Sequence, residues 1–217
     1  MLKSFASCRR VRMDRIVLLG GTFNPLSRAH DRILRLAKEK TGSDKAILLP
    51  AADSFLKSWK GFDTDEILPV QTRLKILKAY CKRHRNTFLE TIETERKTTC
   101  TYDSLVYLKK KFRTNSIFFV MGTEKAEELG RWKNADALLS ENRFVMVRRN
   151  EDDLKTIIEK ENIKKHLQNF RFIDAGKETQ DISSTRIRMA LHRKDRKTVE
   201  ALTFSYVVKI LKEDNIA

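Results

Sequence analysis

A histidine that follows a glycine-rich turn is the first group in this sequence that could do chemistry. The stretch LLGGTFNPLSRAH, residues 18–30, joins an apolar run to a segment with helical spacing. Ser27 is a good N-cap, which would place His30 in the first helical turn. Unpaired backbone N–H groups and the positive end of the helix dipole lie there. The turn therefore predicts an anion site, to which His30 adds a directed donor.

The glycines and the proline of this stretch indicate how a ligand would approach the backbone. Gly20 and Gly21 would end the strand, because glycine allows unusual backbone angles and a close approach of the chain to a ligand. Pro25 then fixes a turn. The alternative is an ordinary glycine-rich turn with an incidental histidine, and the stretch matches neither a Walker A loop nor a GxGxxG fingerprint.

A second candidate for phosphate binding lies near the end of the chain, in DISSTRIRMALHR at 181–193. Two serines and a threonine precede a predicted helix whose first turns carry Arg186 and Arg188. Hydroxyls and helix N-terminal amides bind phosphate, and arginine adds a planar pair of donors. The alternative is an ordinary N-cap followed by a solvated basic helix.

Short apolar runs alternate with helical segments along the chain, which predicts parallel βαβ units. Continuous apolar strands suit a sheet that is buried on both faces. We therefore expect an α/β fold with a Rossmann-like doubly wound parallel sheet flanked by helices, and a helical C-terminal part. A single domain is expected over 13–217, after a disordered extension over 1–12. The apolar runs are at 15–20, 45–50, 87–92, 116–121, 143–148 and 170–174.

The net charge of the chain limits the classes of molecule that it is expected to bind. The 217 residues carry a formal net charge of +16, which attracts polyanions or reflects an ordinary basic surface. A basic nucleic-acid-binding module is therefore the second function class. Such a module needs exposed aromatic residues among the basic ones, and few are so placed, so we do not expect nucleic acid as a partner.

Cysteine usage and hydropathy bear on the location. The three cysteines fit neither a disulfide framework nor a zinc site, which favours a reducing compartment such as the cytoplasm. No apolar run approaches the roughly 18 residues that a membrane span needs, so no membrane partner is expected. The sequence carries no signal of oligomeric state, and a homo-oligomer stays open.

The two candidate phosphate segments together resemble a known family. GGTFNPLSRAH at 20–30 and ISSTRIR at 182–188 resemble the first and last motifs of the nicotinate/nicotinamide mononucleotide adenylyltransferases. These are nucleotidylyltransferases with an (H/T)xGH-like first motif. The segments TTCTYDSLVYLKK, FFVMGTEKAEELGRW and RFVMVRR between them are also similar. The chain departs from the family pattern at Ser27, Ala29 and Glu124, where histidine or threonine, glycine or methionine, and aspartate are usual.

The resemblance implies transfer of AMP from ATP to a pyridine mononucleotide, with release of pyrophosphate. We expect nicotinate mononucleotide as the acceptor, because the segments around Thr101 and Trp132 look like the bacterial branch. Nicotinamide mononucleotide and phosphopantetheine are the alternatives. Mg²⁺ would arrive with ATP, since no dedicated metal site is visible in the sequence.

The resemblance also implies site residues. His30 and Arg188 would be catalytic, with His30 donating to the α-phosphate either as a neutral ring or protonated. Contacts to ATP and its phosphates are expected from Gly20, Gly21, Thr22, Phe23, Ser27, Lys57, Lys60, Ile182, Ser183, Ser184 and Thr185. Contacts to the pyridine nucleotide and its ribose are expected from Asn24, Thr101, Gly122, Glu124, Trp132 and Arg149. The indole of Trp132 suits stacking on a pyridinium ring.

Overall fold

A computed structural model of the chain describes residues 14–53, 67–95, 100–148 and 153–216. Six strands in these ranges form one sheet: β1 Ile16–Gly21, β2 Lys45–Pro50, β3 Thr87–Leu89, β4 Ile117–Gly122, β5 Arg143–Arg148 and β6 Phe170–Asp174. All neighbours are parallel, in the order β3-β2-β1-β4-β5-β6. The order reverses between β1 and β4, so the predicted doubly wound sheet is confirmed. The predicted extension over 1–12 lies outside the described residues.

Helices connect the strands and form the C-terminal part, as predicted. The α-helices of the described ranges are α1 Arg28–Thr41, α2 Val70–Arg83, α3 Ile92–Glu95, α4 Thr101–Phe112, α5 Ala135–Glu141, α6 Leu154–Ile158, α7 Glu161–Lys164, α8 Ser184–His192, α9 Arg196–Leu202 and α10 Ser205–Glu213. Among the helices that the structure describes, none combines the length and the hydropathy of a membrane span.

The alternation of side chains along β1 shows how the sheet is covered on both faces. Val17 and Leu19 belong to a core cluster that includes the apolar stripe of α1, whereas Ile16 and Leu18 belong to a second cluster with residues of α4 and α5. All four side chains are buried. A strand buried on both faces must be apolar throughout, which explains the continuous hydrophobic runs of the sequence.

The structure shortens one of the predicted strands. Only three residues of the 87–92 run pair with β2, from Ala46–Thr87 to Leu48–Leu89. The amide of Glu90 still donates to the carbonyl of Leu48, but the chain then turns into α3. Among the described strands, β3 is terminal in the order of the sheet and pairs with β2 alone.

The two glycines end β1, as predicted, but neither has an unusual backbone angle. Both remain in the extended strand, and the left-handed backbone is at Phe23, with φ of 49°. The reason for glycine at position 20 is space, because a Cβ there would lie 3.1 Å from the ring of Phe119. Gly20 thus allows the close approach of an aromatic ring rather than an unusual backbone angle.

One fully buried cation joins the loops that follow β1 and β2. The guanidinium of Arg73, on α2, donates to the carbonyls of Thr22 at 2.9 Å and Ala51 at 3.1 Å. It also donates to the carbonyl of Leu68 at 3.3 Å and pairs with the carboxylate of Asp53. Burial lowers the pKa of the guanidinium, and the Asp53 carboxylate opposes that shift. Arg73 therefore holds three chain segments around one charge.

Replacing Arg73 by methionine keeps most of the volume but removes every one of these donors. We expect Arg73→Met to lower the free energy of unfolding by about 3 kcal/mol, because breaking a buried charged network from one side leaves polar groups unpaired. Urea unfolding followed by circular dichroism measures the change.

The matched control is Arg196→Met. Arg196 pairs with Glu200 at 2.6 Å one turn along α9, and its side chain is 73% exposed. This variant should lose less than about 0.5 kcal/mol, as is usual for exposed pairs. Equal losses from both variants would contradict the assignment of Arg73 as the cation that joins the loops.

Candidate active site

The reversal of strand order places the expected crevice at the carboxyl edge of the sheet, between β1 and β4. The pairing of β1 with β4 ends at Leu19–Val120, whereas its pairing with β2 continues to Gly21–Pro50. The last two residues of β1 therefore separate from β4. Crevices at such a reversal of strand order are where ligands bind in open α/β sheets.

His30 lies beside this crevice, in the first turn of α1. Ser27 is the N-cap and His30 occupies the third helical position, so both predictions are confirmed. The backbone N–H of Ser27 donates to Nδ1 of His30 at 3.1 Å, and Ser27 Oγ lies 2.8 Å from the same nitrogen. These contacts fix the imidazole against the helix start. Ser27, which the resemblance implies as a phosphate contact, is fully buried, and its hydroxyl contacts His30.

The structure brings together the two motifs, although about 160 residues separate them. Ser184 Oγ donates to the carbonyl of Pro25 at 2.8 Å, and Arg188 Nη1 donates to the carbonyl of Asn24 at 3.0 Å. Thr203, just after α9, donates to the carbonyl of Leu26 at 2.6 Å. The start of α8 is thereby held against the turn that leads into His30. We call residues 24–26 with these three donors the turn junction.

The start of α8 presents hydroxyl and guanidinium groups next to the turn junction. Ser183 is the N-cap, and its Oγ accepts from the amide of Arg186 at 3.1 Å. Thr185 is exposed and lies 3.5 Å from Arg188 Nη2. Ile182 packs against a small apolar cluster formed with α8 to α10. The hydroxyls of Ser183 and Thr185 and the guanidinium of Arg188 can donate hydrogen bonds to an anionic ligand, which is what a polyphosphate requires.

Asn24 has a different environment from the one expected. Its side chain is buried, and Oδ1 accepts from the backbone N–H of Leu68 at 2.8 Å. Asn24 thus ties the turn to the segment that enters α2, rather than lining an open surface. Arg73 and Thr203 were not among the predicted residues, although Arg73 has a signal: it lies on the same stripe of α2 as buried Ile76 and Tyr80.

At the end of β4, on the other side of the expected crevice, the side chain of Glu124 folds back against Gly122. A Cβ on Gly122, the last residue of β4, would lie 1.8 Å from Oε2 of Glu124. The carboxylate of Glu124 therefore occupies the space that a side chain at position 122 would fill. Glutamate is one methylene longer than the aspartate usual in the resembling family, and this fold-back accommodates the extra length.

Trp132 is linked to the end of β1 through one aromatic ring. Its indole packs edge-on against Phe119, with ring centroids 6.3 Å apart, and the same Phe119 ring lies against Gly20. Trp132 is partly exposed, as a stacking surface requires. Thr101 is the first residue of α4 and is also partly exposed.

Three predicted residues fall outside the described ranges. They are Lys57, Lys60 and Arg149, and the structure says nothing about them. Within the described ranges, no group of three or more histidine, cysteine, aspartate or glutamate side chains is placed to hold a metal ion.

The family profile named cytidylyltransferase-like matches residues 18–190. The chain belongs to the cytidylyltransferase-like family. The match begins in β1 and ends in α8, so it includes residues 24–26 and the donors Ser184 and Arg188 of the turn junction, but not Thr203.

Individual relatives of this cytidylyltransferase-like chain were also found. It is 28% identical to a probable nicotinate-nucleotide adenylyltransferase of Clostridium acetobutylicum over 186 residues, which cover 84% of this chain and 90% of the relative. A protein of the same description from Desulfotalea psychrophila is 34% identical over 138 residues, covering 62% of this chain and 63% of the relative.

Solved structures agree on the fold. Plasmodium falciparum nicotinic acid mononucleotide adenylyltransferase complexed with NaAD superposes with a TM-score of 0.72, covering 94% of this chain and 97% of that chain. The structure complexed with APC gives 0.73. Both are 18% identical to this cytidylyltransferase-like chain, a likeness that shows a shared architecture.

A half-buried carboxyl, that of Glu93, contacts α4 of this cytidylyltransferase-like fold. Glu93, on α3, accepts a hydrogen bond from Ser104 Oγ at 2.8 Å, and Ser104 is fully buried. Burial raises the pKa of Glu93 to about 7, although the hydrogen bond from Ser104 acts in the opposite direction. The carboxyl therefore binds a proton more readily in the folded chain than in the unfolded one.

This shift predicts a pH dependence of stability. Between the ordinary value of 4.5 and about 7, the folded state holds a proton that the unfolded state has lost, so the contribution of Glu93 to stability falls as pH rises and levels off above 7. Glu93→Gln keeps an acceptor for Ser104 and removes the titration. Its free energy of unfolding should rise relative to the parent between pH 5 and 7, by up to about 3 kcal/mol.

Urea unfolding at several pH values measures this difference. Glu127→Gln is the control, because Glu127 pairs with Lys160 on the surface and its pKa is lowered, so it stays ionised throughout this range. A difference between Glu93→Gln and the parent that stays constant from pH 5 to 8 would refute the assignment.

Proposed function

We propose that the protein is a nicotinate-nucleotide adenylyltransferase. It would transfer AMP from ATP to nicotinate mononucleotide, giving deamido-NAD and pyrophosphate, a step of NAD biosynthesis. The observation that carries the proposal is the turn junction, which holds the hydroxyls and arginine of α8 beside the histidine of α1. The descriptions of the sequence relatives support the choice of substrates.

The reaction needs positioning and charge stabilisation more than covalent chemistry. An oxygen of the mononucleotide 5′-phosphate attacks the α-phosphorus of ATP, the bond from that phosphorus to the bridging oxygen breaks, and pyrophosphate leaves. Donors fixed before the reaction stabilise the charge that develops on the transferring group and on the leaving oxygen. His30 would donate to the α-phosphate, because its ring is held at the helix start.

Arg188 would hold the phosphates that become pyrophosphate. Its bond to the carbonyl of Asn24 uses one of the five N–H donors of a guanidinium and fixes the group next to the turn. Ser183 and Thr185 lie at the same helix start, where backbone amides and the helix dipole favour an anion. Lys57 and Lys60 stay predictions for the same phosphates.

Mg²⁺ is expected as part of the ATP substrate. The groups around the turn junction are hydroxyls, a histidine and an arginine, which suit phosphate oxygens rather than the cation itself. Mg²⁺ is usually held by substrate phosphates and water with one or two carboxylates, and it neutralises charge that develops on the phosphates.

The mononucleotide would occupy the wall formed by β4 and the turns after it. Trp132 offers a flat ring for the pyridine base, and Glu124 offers a carboxylate for ribose hydroxyls. Contacts from Thr101 and Arg149 stay predictions. A cytoplasmic location is also proposed, in keeping with Cys81 and Cys100, which are free thiols.

The deciding experiment is pyrophosphate release from ATP and Mg²⁺, with nicotinate or nicotinamide mononucleotide offered separately. We expect release with the nicotinate compound and at least about tenfold slower release with the nicotinamide compound, since a site that binds a carboxylate discriminates against its amide. Release with neither, from folded protein, would overturn the proposal, and phosphopantetheine would be tested next.

His30→Ala should abolish this release while the circular dichroism spectrum and thermal midpoint stay close to those of the parent. Loss of a fixed donor to the reacting phosphate is expected to lower kcat by at least about a hundredfold. His166→Ala is the matched control, because His166 precedes β6 at the opposite edge of the sheet. An active His30→Ala variant would end the mechanism proposed here.

Gly122→Ala tests the place of Glu124. The new Cβ would displace the carboxylate, so we expect the KM for the mononucleotide to rise about fivefold while the KM for ATP stays within about twofold. The fold should survive, since the displaced atoms end a flexible side chain.

The control is the double variant that combines Gly122→Ala with Glu124→Ala. If Gly122→Ala acts only through Glu124, the double variant is no worse than Glu124→Ala alone. Additive effects on KM would show that position 122 matters for another reason.

A further inference from the structure

The backbone N–H and the side-chain hydroxyl of Ser27 both contact one nitrogen of His30, Nδ1. Its N–H donates to Nδ1 at 3.1 Å, and its Oγ lies 2.8 Å from the same atom. The serine is fully buried, and its own carbonyl accepts from the amide of His30 at 3.1 Å. The two residues therefore contact each other through both backbone and side-chain atoms across the first turn of α1.

This geometry decides which ring nitrogen carries the proton. A backbone N–H can only donate, so Nδ1 must present its lone pair to Ser27. The hydroxyl of Ser27 then also donates to Nδ1. In the neutral imidazole the proton is consequently on Nε2. A protonated Nδ1 would point its N–H at the N–H of Ser27, so the same contacts disfavour the charged ring.

A second contact fixes the plane of the ring. The ring of Phe23 packs against the imidazole at 5.2 Å between centroids, tilted by 48°, and Phe23 is only 1% exposed. Because Phe23 is buried in the core, it cannot move aside without loss of packing. The imidazole is thus limited on one edge by Ser27 and on one face by Phe23.

We propose that Ser27 is a positioning residue that holds His30 as the neutral tautomer with its proton on Nε2. Ser27 thereby determines which N–H His30 can donate to a phosphoryl oxygen, and it does not itself bind phosphate. The effect on turnover rests on the proposed function, whereas the tautomer is a property of the free protein.

Nitrogen-15 NMR of histidine-labelled protein tests the tautomer directly. The chain has four histidines, so His30 can be assigned by the signal that disappears in His30→Gln. In the parent at pH 7.5 we expect separate shifts for an unprotonated Nδ1 and a protonated Nε2. A ring protonated on Nδ1, or on both nitrogens, would overturn the proposal whether or not the protein turns over any nucleotide.

Substitutions at position 27 test the side chain. Ser27→Thr retains the hydroxyl and should keep both the tautomer and kcat within about threefold. Ser27→Ala keeps the backbone N–H and therefore the tautomer, but it removes the hydroxyl next to Nδ1. The Nδ1 shift should change measurably, and kcat should fall about tenfold with the KM for ATP within about twofold. Unchanged nitrogen shifts together with a raised KM for ATP would instead mean that Ser27 binds phosphate, and the proposal would fail.

A further variant separates the effect on His30 from the loss of a helix cap. Ser27→Gly removes the hydroxyl but costs the helix only a few tenths of a kcal/mol, because glycine is a fair N-cap. It should show the same change in nitrogen shifts as Ser27→Ala. Native-like nitrogen shifts in folded Ser27→Gly would refute the role of the hydroxyl. Absence of turnover in the parent, with the expected tautomer present, would reject the proposed function and leave the assignment of Ser27 intact.

Discussion

The hydrogen bonds to three successive carbonyl groups, those of Asn24, Pro25 and Leu26, are the interaction on which the site depends. Backbone carbonyls in a buried turn need donors, and here the donors come from residues 184 to 203. The contact satisfies the turn and at the same time fixes α8 at the carboxyl edge of the sheet. A motif near the end of the chain can therefore act with one near its start, because the turn between β1 and α1 is incomplete without it.

The parallel sheet explains why the architecture can be predicted from the sequence. Strands such as β2 and β5 are continuous apolar runs bounded by polar residues, so both their positions and their type follow from hydropathy. The N-cap role of Ser27 follows from local chemistry in the same way. The early end of β3 does not, because the apolar run continues to Ile92 while the chain already turns into α3 after Glu90.

The details of the site are harder to predict, since they depend on contacts between distant segments. The resemblance to the mononucleotide adenylyltransferases implies substrate contacts for Asn24 and Ser27. Both are instead buried and bonded within the protein. Whether a polar side chain faces a ligand or satisfies its own chain is decided by tertiary packing, which local patterns do not encode.

The buried guanidinium of Arg73 has a consequence for motion at the carboxyl edge. It bonds to the loop after β1 through Thr22 and to the loop after β2 through Ala51 and Asp53. Neither loop can shift alone without leaving a buried charge short of acceptors, which is unfavourable. The loops after β1 and β2 are thus expected to move together rather than separately. A displacement of either loop therefore carries an energetic cost at the other, because both depend on the same guanidinium.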